Sequence, residues 1–267
     1  MTISSKVKTM DYIQAISGFV VGIIVGITGV GGGSLMTPIL LMLGVPTAKA
    51  VGTDLLYAAI TKAAGVAVHQ KQKNIHWAMT GWLALGSIPA TLLTLYALHS
   101  WQLPAKTIDS VIKHALGFAL VLTSVAILAK PWILKKLRHN TAVHYEVMTS
   151  RQKGATVLTG LLLGVLVTLS SVGAGAVGTV LLFILFPALP TVKLVGTEIA
   201  HAVPLTLIAG LGHAGLGNLN WPLLFTLLSG SIPGILIGSR LSGKMPDHII
   251  RPFLAVILGI VGYRFIM

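Results

Sequence analysis

The sequence predicts an all-α fold: a polytopic membrane helical bundle of two homologous, inverted repeats, with eight to ten transmembrane segments and glycine-broken short helices. Three observations carry this. Apolar runs of about 18 or more residues recur along the 267-residue chain, each long enough to cross a hydrocarbon core of about 30 Å. Only 9% of residues are charged, about a third of what a soluble domain carries. Finally, the chain repeats itself. Pro46-Thr-Ala-Lys-Ala-Val-Gly-Thr-Asp54 and Pro190-Thr-Val-Lys-Leu-Val-Gly-Thr-Glu198 are identical at six of nine positions, offset by 144. At that offset His69 falls on His213, Asn74 on Asn218, Trp77 on Trp221 and Gly86-Ser-Ile-Pro89 on Gly230-Ser-Ile-Pro233. Upstream, at an offset of 142, Gly18, Gly22, Gly31 and Gly33 fall on Gly160, Gly164, Gly173 and Gly175.

The first repeat covers residues 1–129, with apolar segments at 12–30, 34–45, 50–69, 76–99 and 109–129. Lys6 and Lys8 precede the first segment in the manner of a signal peptide. A counterpart of this segment in the second half argues that it belongs to the mature fold. The second segment, reached through Gly29-Val-Gly-Gly-Gly-Ser34, is too short to span unaided. The third carries Asp54 and Lys62 and ends at His69. The fourth contains the Gly86–Pro89 motif, read as a kink. Residues 130–153 form a basic linker, with six Lys or Arg against Glu146, which the positive-inside rule places in the cytoplasm. The second repeat, 154–267, has segments at 155–171, 175–188, 194–214, 220–239 and 248–265. If the short segments span, the chain crosses ten times and both termini lie outside. If they are re-entrant it crosses eight times and the termini lie inside. The charge distribution favours ten, although Lys6 and Lys8 count against it.

Several function classes drop out. Alternation of strand length is absent, which excludes a membrane barrel. With no cysteine there are no disulfides, thiol nucleophiles or iron–sulfur clusters. The net charge of +13 lies mostly between apolar runs, pointing to topology and anionic lipids rather than nucleic acid. The glycine run lacks the Lys-Ser/Thr ending of a P-loop, and no His–acid spacing suits a metal. No nucleophile–base spacing suggests an enzyme, and no cofactor is expected.

What remains is the chemistry of a carrier. Glycine-interrupted segments at matching positions of two halves mark a transporter's central site. A broken helix offers amides at a positive helix end to an anion, or else its glycines only tighten packing. Gly31, Gly32, Gly33 and Ser34 in one half, and Gly173 and Gly175 in the other, are the binding candidates. Asp54 and Glu198 hold one matched position among only six acids. A carboxylate roughly 10 Å deep is costly unless paired, hydrated or protonated, so they are candidates for proton coupling or gating, with a structural ion pair or a helix cap as the alternative. Thr53 and Thr197 would donate to an oxyanion or bond to their own helix. Lys62, without a basic counterpart because position 206 is Thr, would contact the anion or neutralise Asp54. His69 and His213 would relay protons or sit at the interface as bonded side chains.

These residues resemble the sulfite exporter TauE/SafE family, also called toluene-sulfonate uptake permeases, from about Asp11 to Arg264. The most specific parts are Gly26-Ile-Thr-Gly-Val-Gly-Gly-Gly33 with Pro38, Ala50-Val-Gly-Thr53 with its repeat, and the stretch from His69 to Trp77. The resemblance implies an inner-membrane secondary carrier for small sulfur-containing anions such as sulfite, sulfoacetate or aromatic sulfonates. Asp54 stands where the family often has a small polar residue. The partners expected are that anion, protons, anionic lipids and, as an open option, a second copy of the chain in a homodimer. An anion channel, or a cation or metal carrier using Asp54 and Glu198, are the alternatives.

Overall fold

The computed structural model describes residues 3–28, 33–100, 104–137, 148–241 and 247–267. These form ten helices and, among the described residues, no strand. In chain order they are α1 (Ile3–Thr28), α2 (Gly33–Met42), α3 (Thr47–Lys71), α4 (Trp77–Ser100), α5 (Ala105–Leu137), α6 (Ser150–Ser170), α7 (Ala176–Leu185), α8 (Thr191–Gly215), α9 (Trp221–Leu241) and α10 (Asp247–Ile266). Six of the described helices (α3, α4, α5, α6, α8 and α9) are long and apolar enough to cross a membrane. The chain is a multi-pass membrane protein. α5 continues through Pro131 to Leu137, so the first turns of the basic segment are helical, and Lys135 and Lys136 sit in its last turn where the helix dipole favours cations. α6 opens on a capping box, in which Thr149 accepts from the Gln152 amide and Gln152 accepts from the Thr149 amide.

Small residues set the helix pairing. α1 packs along α9, and α4 along α6. A Cβ added at Gly18 or Gly22 would strike the carbonyls of Leu227 or Ser231. At the matching positions Gly160 and Gly164 it would strike Leu83 and Ser87. Backbones approach this closely only where side chains are missing, and without a hydrophobic drive in lipid such contact is what holds helices together. Gly86 against Val157 and Gly230 against Ala15 add a third matched contact, while Gly234 and Gly238 tighten only the α1–α9 seam, against Phe19 and Ile23.

α3 and α8 lie against each other at the centre. Gly52 touches Asn218 and His213, Leu56 touches Gly210, Gly65 faces Ile199, and Asn74 and His69 touch Gly196. Each step forward on α3 is therefore a step back on α8, and these matched helices run antiparallel. So do α5 and α10, where Gly117 meets Gly262 and Ser124 meets Gly259. By contrast α4 runs parallel to α6, through Leu83–Gly160 and Ser87–Gly164, and parallel to α8, through His76–Thr197 and Leu95–Gly212. Since α6 and α8 point the same way, the stretch between them, with the short α7, returns across the bundle.

Candidate functional site

The antiparallel crossing of α3 and α8 arranges the polar side chains as a ladder. At 1.5 Å per residue, Asp54 and Glu198 stand roughly 10 Å to either side of its centre. Tyr57 and His201, three residues further along each helix, stand roughly 5 Å to either side, and Lys62 lies within roughly 3 Å of the middle. All five are buried. Lys62 is the lone cation among the buried polar side chains of the described residues, and its matched position is Thr206, whose hydroxyl bonds back to Ala202 O at 2.8 Å.

Each carboxyl is held differently. Asp54 Oδ2 accepts from the Thr37 hydroxyl of α2, the Ser171 side chain is its next polar neighbour, and Oδ1 has no hydrogen-bond partner. Glu198 has Oε1 without a partner and lies against Gly178 of α7, where an added Cβ would come within 3.0 Å of that oxygen. The longer acid thus faces the smaller residue. Lys62 Nζ donates to the carbonyl of Ala174 and is within electrostatic reach of both acids, Glu198 the more strongly. An ammonium buried this way is tolerable only with such partners.

The break before α7 builds one wall. Ser171 (φ 59), Gly173 (φ 113) and Gly175 (φ 153) all lie in the left-handed region, which turns the chain sharply enough to aim the Ala174 carbonyl at Lys62. The amides of Gly178 and Thr179 return to the carbonyls of Gly173 and Gly175. Gly31 and Gly32, in the matching break, lie outside the described residues. Gly33 and Ser34 open α2, and the position of the Ser34 side chain is likewise outside the described set.

Thr53 and Thr197 serve the frame. The Asn220 amide donates to Thr53 Oγ1 at 3.2 Å, and the His76 amide to Thr197 Oγ1 at 2.9 Å. Thr197 also donates to Lys193 O at 2.6 Å. Each half's central helix is thereby tied to a turn of the other half, at opposite ends of the bundle. His213 is bonded to Thr168 O at 2.9 Å and packs on Gly52, while His69 packs on Gly196. These histidines stand at the outer ends of the crossing, away from Lys62.

Six polar residues along the crossing are not among the binding or gating candidates of the sequence: Thr37, Tyr57, Ser87, Ser171, His201 and Ser231, of which Ser87 and Ser231 belong to the Gly-Ser-Ile-Pro motifs. His201 Nε2 lies 2.8 Å from Ser87 Oγ of α4. In the other half Tyr57 lies near Ser231 of α9, but neither hydroxyl has a hydrogen-bond partner. The signal was available, since Tyr57 and His201 are polar, matched at 144, and one helical turn from the acids.

An all-helical membrane bundle with broken helices and a buried charged ladder where its halves cross is a membrane transporter. The sulfite exporter TauE/SafE pattern matches residues 14–265. A probable membrane transporter protein of Bacillus subtilis, YjnA, is 40% identical over 93% of this chain and 97% of its own. A second from that organism, YdhB, is 26% identical over 91% and 95%, and one from Methanocaldococcus jannaschii is 26% identical over 92% of each chain. The chain belongs to the sulfite exporter TauE/SafE family. No solved structure matches it.

Proposed function

We propose that the protein is a secondary active, proton-coupled transporter of small sulfur-containing anions such as sulfite, sulfoacetate or other organosulfonates. The observation that carries this reading is Lys62, a buried ammonium at the middle of the crossing with one buried carboxyl on either side. An anion about 4 Å from Lys62 gains about 4 kcal/mol at an effective dielectric of about 20. Each ionised carboxylate about 10 Å away opposes it by about 1–2 kcal/mol. Fully ionised, the three groups sum to a net charge of −1, so a monovalent anion makes −2 in a low-dielectric interior. Protons on Asp54 and Glu198 remove that repulsion, and this is why anion and proton would move together.

The antiparallel course of α3 and α8 and the return of the chain through α7 support ten crossings with the basic linker in the cytoplasm. Asp54 then faces outside and Glu198 the cytoplasm.

The test is flux into proteoliposomes with labelled sulfite, sulfoacetate, taurine and an aromatic sulfonate, with and without an imposed pH gradient. Saturable accumulation of one anion that collapses with the gradient is the expected result. Non-saturating, gradient-independent leak would instead make the protein an anion channel. The unpartnered Asp54 Oδ1 and Glu198 Oε1 favour a second reading, a cation or metal carrier, which uptake of a labelled cation in place of every anion would establish.

A further inference from the structure

The two acids are matched in sequence, yet their surroundings differ in the property that proton transfer requires. On α3 the carboxyl is fixed to α2 by the Thr37 hydroxyl, although its Oδ1 is as unpartnered as Glu198 Oε1, and the next polar group toward the centre is Tyr57, whose hydroxyl has no partner. A phenol does not pick up a proton near neutral pH. On α8 the carboxyl has an unpartnered Oε1, and the next polar group toward the centre is His201, fully buried. Its Nε2 is held 2.8 Å from Ser87 Oγ and its Nδ1 has no partner. Glu198 and His201 are three residues apart, so they share a helix face as neighbours one turn apart. The order along the crossing is Glu198, His201, Lys62.

We propose that Glu198, His201 and Ser87 form the proton-carrying branch of the central site, whereas Asp54, Thr37 and Tyr57 form a fixed branch, and that His201 becomes the second cation facing the transported anion. The inference rests on the proton-coupled reading above. A proton taken up at Glu198 passes to His201 Nδ1: the carboxyl O–H bond breaks, an N–H bond forms, and Glu198 is left ionised. Ser87 fixes the ring by accepting from Nε2–H, which keeps the Nδ1 lone pair free until the proton arrives. The charged groups facing this branch are Lys62 and, further off, Asp54, both from α3. α4 contributes Ser87, and α7 contributes Gly178 and the backbone beside it. An imidazolium beside the Lys62 ammonium is repelled when the site is empty and stabilised when an anion lies between them. The anion therefore draws the proton inward from Glu198, and leaves when the proton returns.

Exchange of labelled sulfoacetate, whose charge stays constant across the window, at equal pH on both sides gives the test, with KM followed from about pH 5.5 to about pH 8, the range over which an imidazole changes charge. The wild-type KM is expected to rise about tenfold or more across that range. In His201→Asn, which keeps a side chain able to bond Ser87, the rise in KM is expected to shrink to the part that ionisation of the two acids alone gives, and gradient-driven accumulation to be lost while exchange persists. Tyr57→Phe is expected to keep the pH dependence of KM, whatever it does to KM itself or to the rate. Should His201→Asn not fold, Ser87→Ala serves instead, and is expected to displace the midpoint of the KM profile with exchange retained at its acid end. A wild-type profile in His201→Asn, or an undisplaced midpoint in Ser87→Ala, overturns the branch assignment. So does loss of the profile in Tyr57→Phe. If the wild type shows saturable exchange but neither a pH-dependent KM nor gradient-driven accumulation, proton coupling itself fails and takes the branch with it.

Discussion

Lys62 is where the sequence symmetry is broken most consequentially. One half supplies an ammonium, the other Thr206, and near the middle of the crossing a single cation serves both. Lys62→Met removes the attraction and leaves the Ala174 carbonyl and two carboxyls without their shared donor and counter-charge. KM for the transported anion should rise at least about tenfold, since about 1.4 kcal/mol of lost attraction already gives that factor. Asp54→Asn and Glu198→Gln should act oppositely on binding. Removing either charge should lower KM at alkaline pH by up to about tenfold, the effect of cancelling about 1–2 kcal/mol of repulsion. The Glu198 variant should also lose gradient-driven accumulation. Unchanged pH-dependent flux in both variants would remove the coupling role from the acids. A fourth residue carries a purely structural expectation. His76 Nδ1 accepts from the Met79 amide and so caps α4, and Asn220 does the same for α9 through Leu223. Burial holds the His76 imidazole below its usual range, which keeps it neutral and able to accept. His76→Asn should be silent, whereas His76→Ala should cost about 1 kcal/mol, read from thermal unfolding in detergent.

At the scale of elements, the seams rather than the apolar surfaces specify which helix meets which. Gly86 and Gly81 lie in the same helix, but a Cβ at Gly86 strikes the Val157 carbonyl while one at Gly81 meets nothing within 4 Å. Gly86→Ala should therefore destabilise by about 1–3 kcal/mol through overpacking. Gly81→Ala should stabilise by up to about 1 kcal/mol through helix propensity. Equal melting shifts for the pair would mean that close approach does not hold α4 to α6. Much at this scale was legible in the chain. Ten apolar segments, the two short ones among them, correspond to ten helices, because twenty apolar residues in lipid have few alternatives to a helix. The end of α5 was not legible. Lys130, Pro131 and the following lysines look like a linker, yet the helix runs on to Leu137, where a terminal turn in water tolerates charge and gains from the dipole. Within the site, Asp54, Glu198 and Lys62 were readable because charge in an apolar helix stands out. Ser87 and Ser231 were not, since a serine beside a glycine and near a proline looks like a kink. The role of Ser87 is fixed only by His201 arriving from a helix more than a hundred residues away in the chain. Thr53 and Thr197 were legible as important but not as staples, because their partners are backbone amides of turns in the other half.

For the whole molecule, the reciprocal contacts set a geometric condition on topology. Lys49 and Lys193 occupy matched positions at the starts of α3 and α8, and those helices run antiparallel. If every helix crosses, the two lysines lie on opposite sides of the membrane. If the short helices dip in and return, both lie outside. Lys49 helps to line a cleft of about 350 Å³ with His99, Asp109 and Asn218, at the end of the bundle nearer Asp54. Because the chain contains no cysteine, single cysteines at 49 and 193 report without background. A membrane-impermeant maleimide added to intact cells should label Lys49→Cys and spare Lys193→Cys until the membrane is opened. Labelling of both from outside would return the short helices to re-entrant loops and the termini to the cytoplasm. It would also put Asp54 and Glu198 on terms that the antiparallel crossing does not allow, since two helices that lie head to tail cannot both begin on one face. The labelling pattern therefore tests the membrane topology and the α3–α8 packing together, and with them the assignment of Glu198 and His201 to the cytoplasmic side.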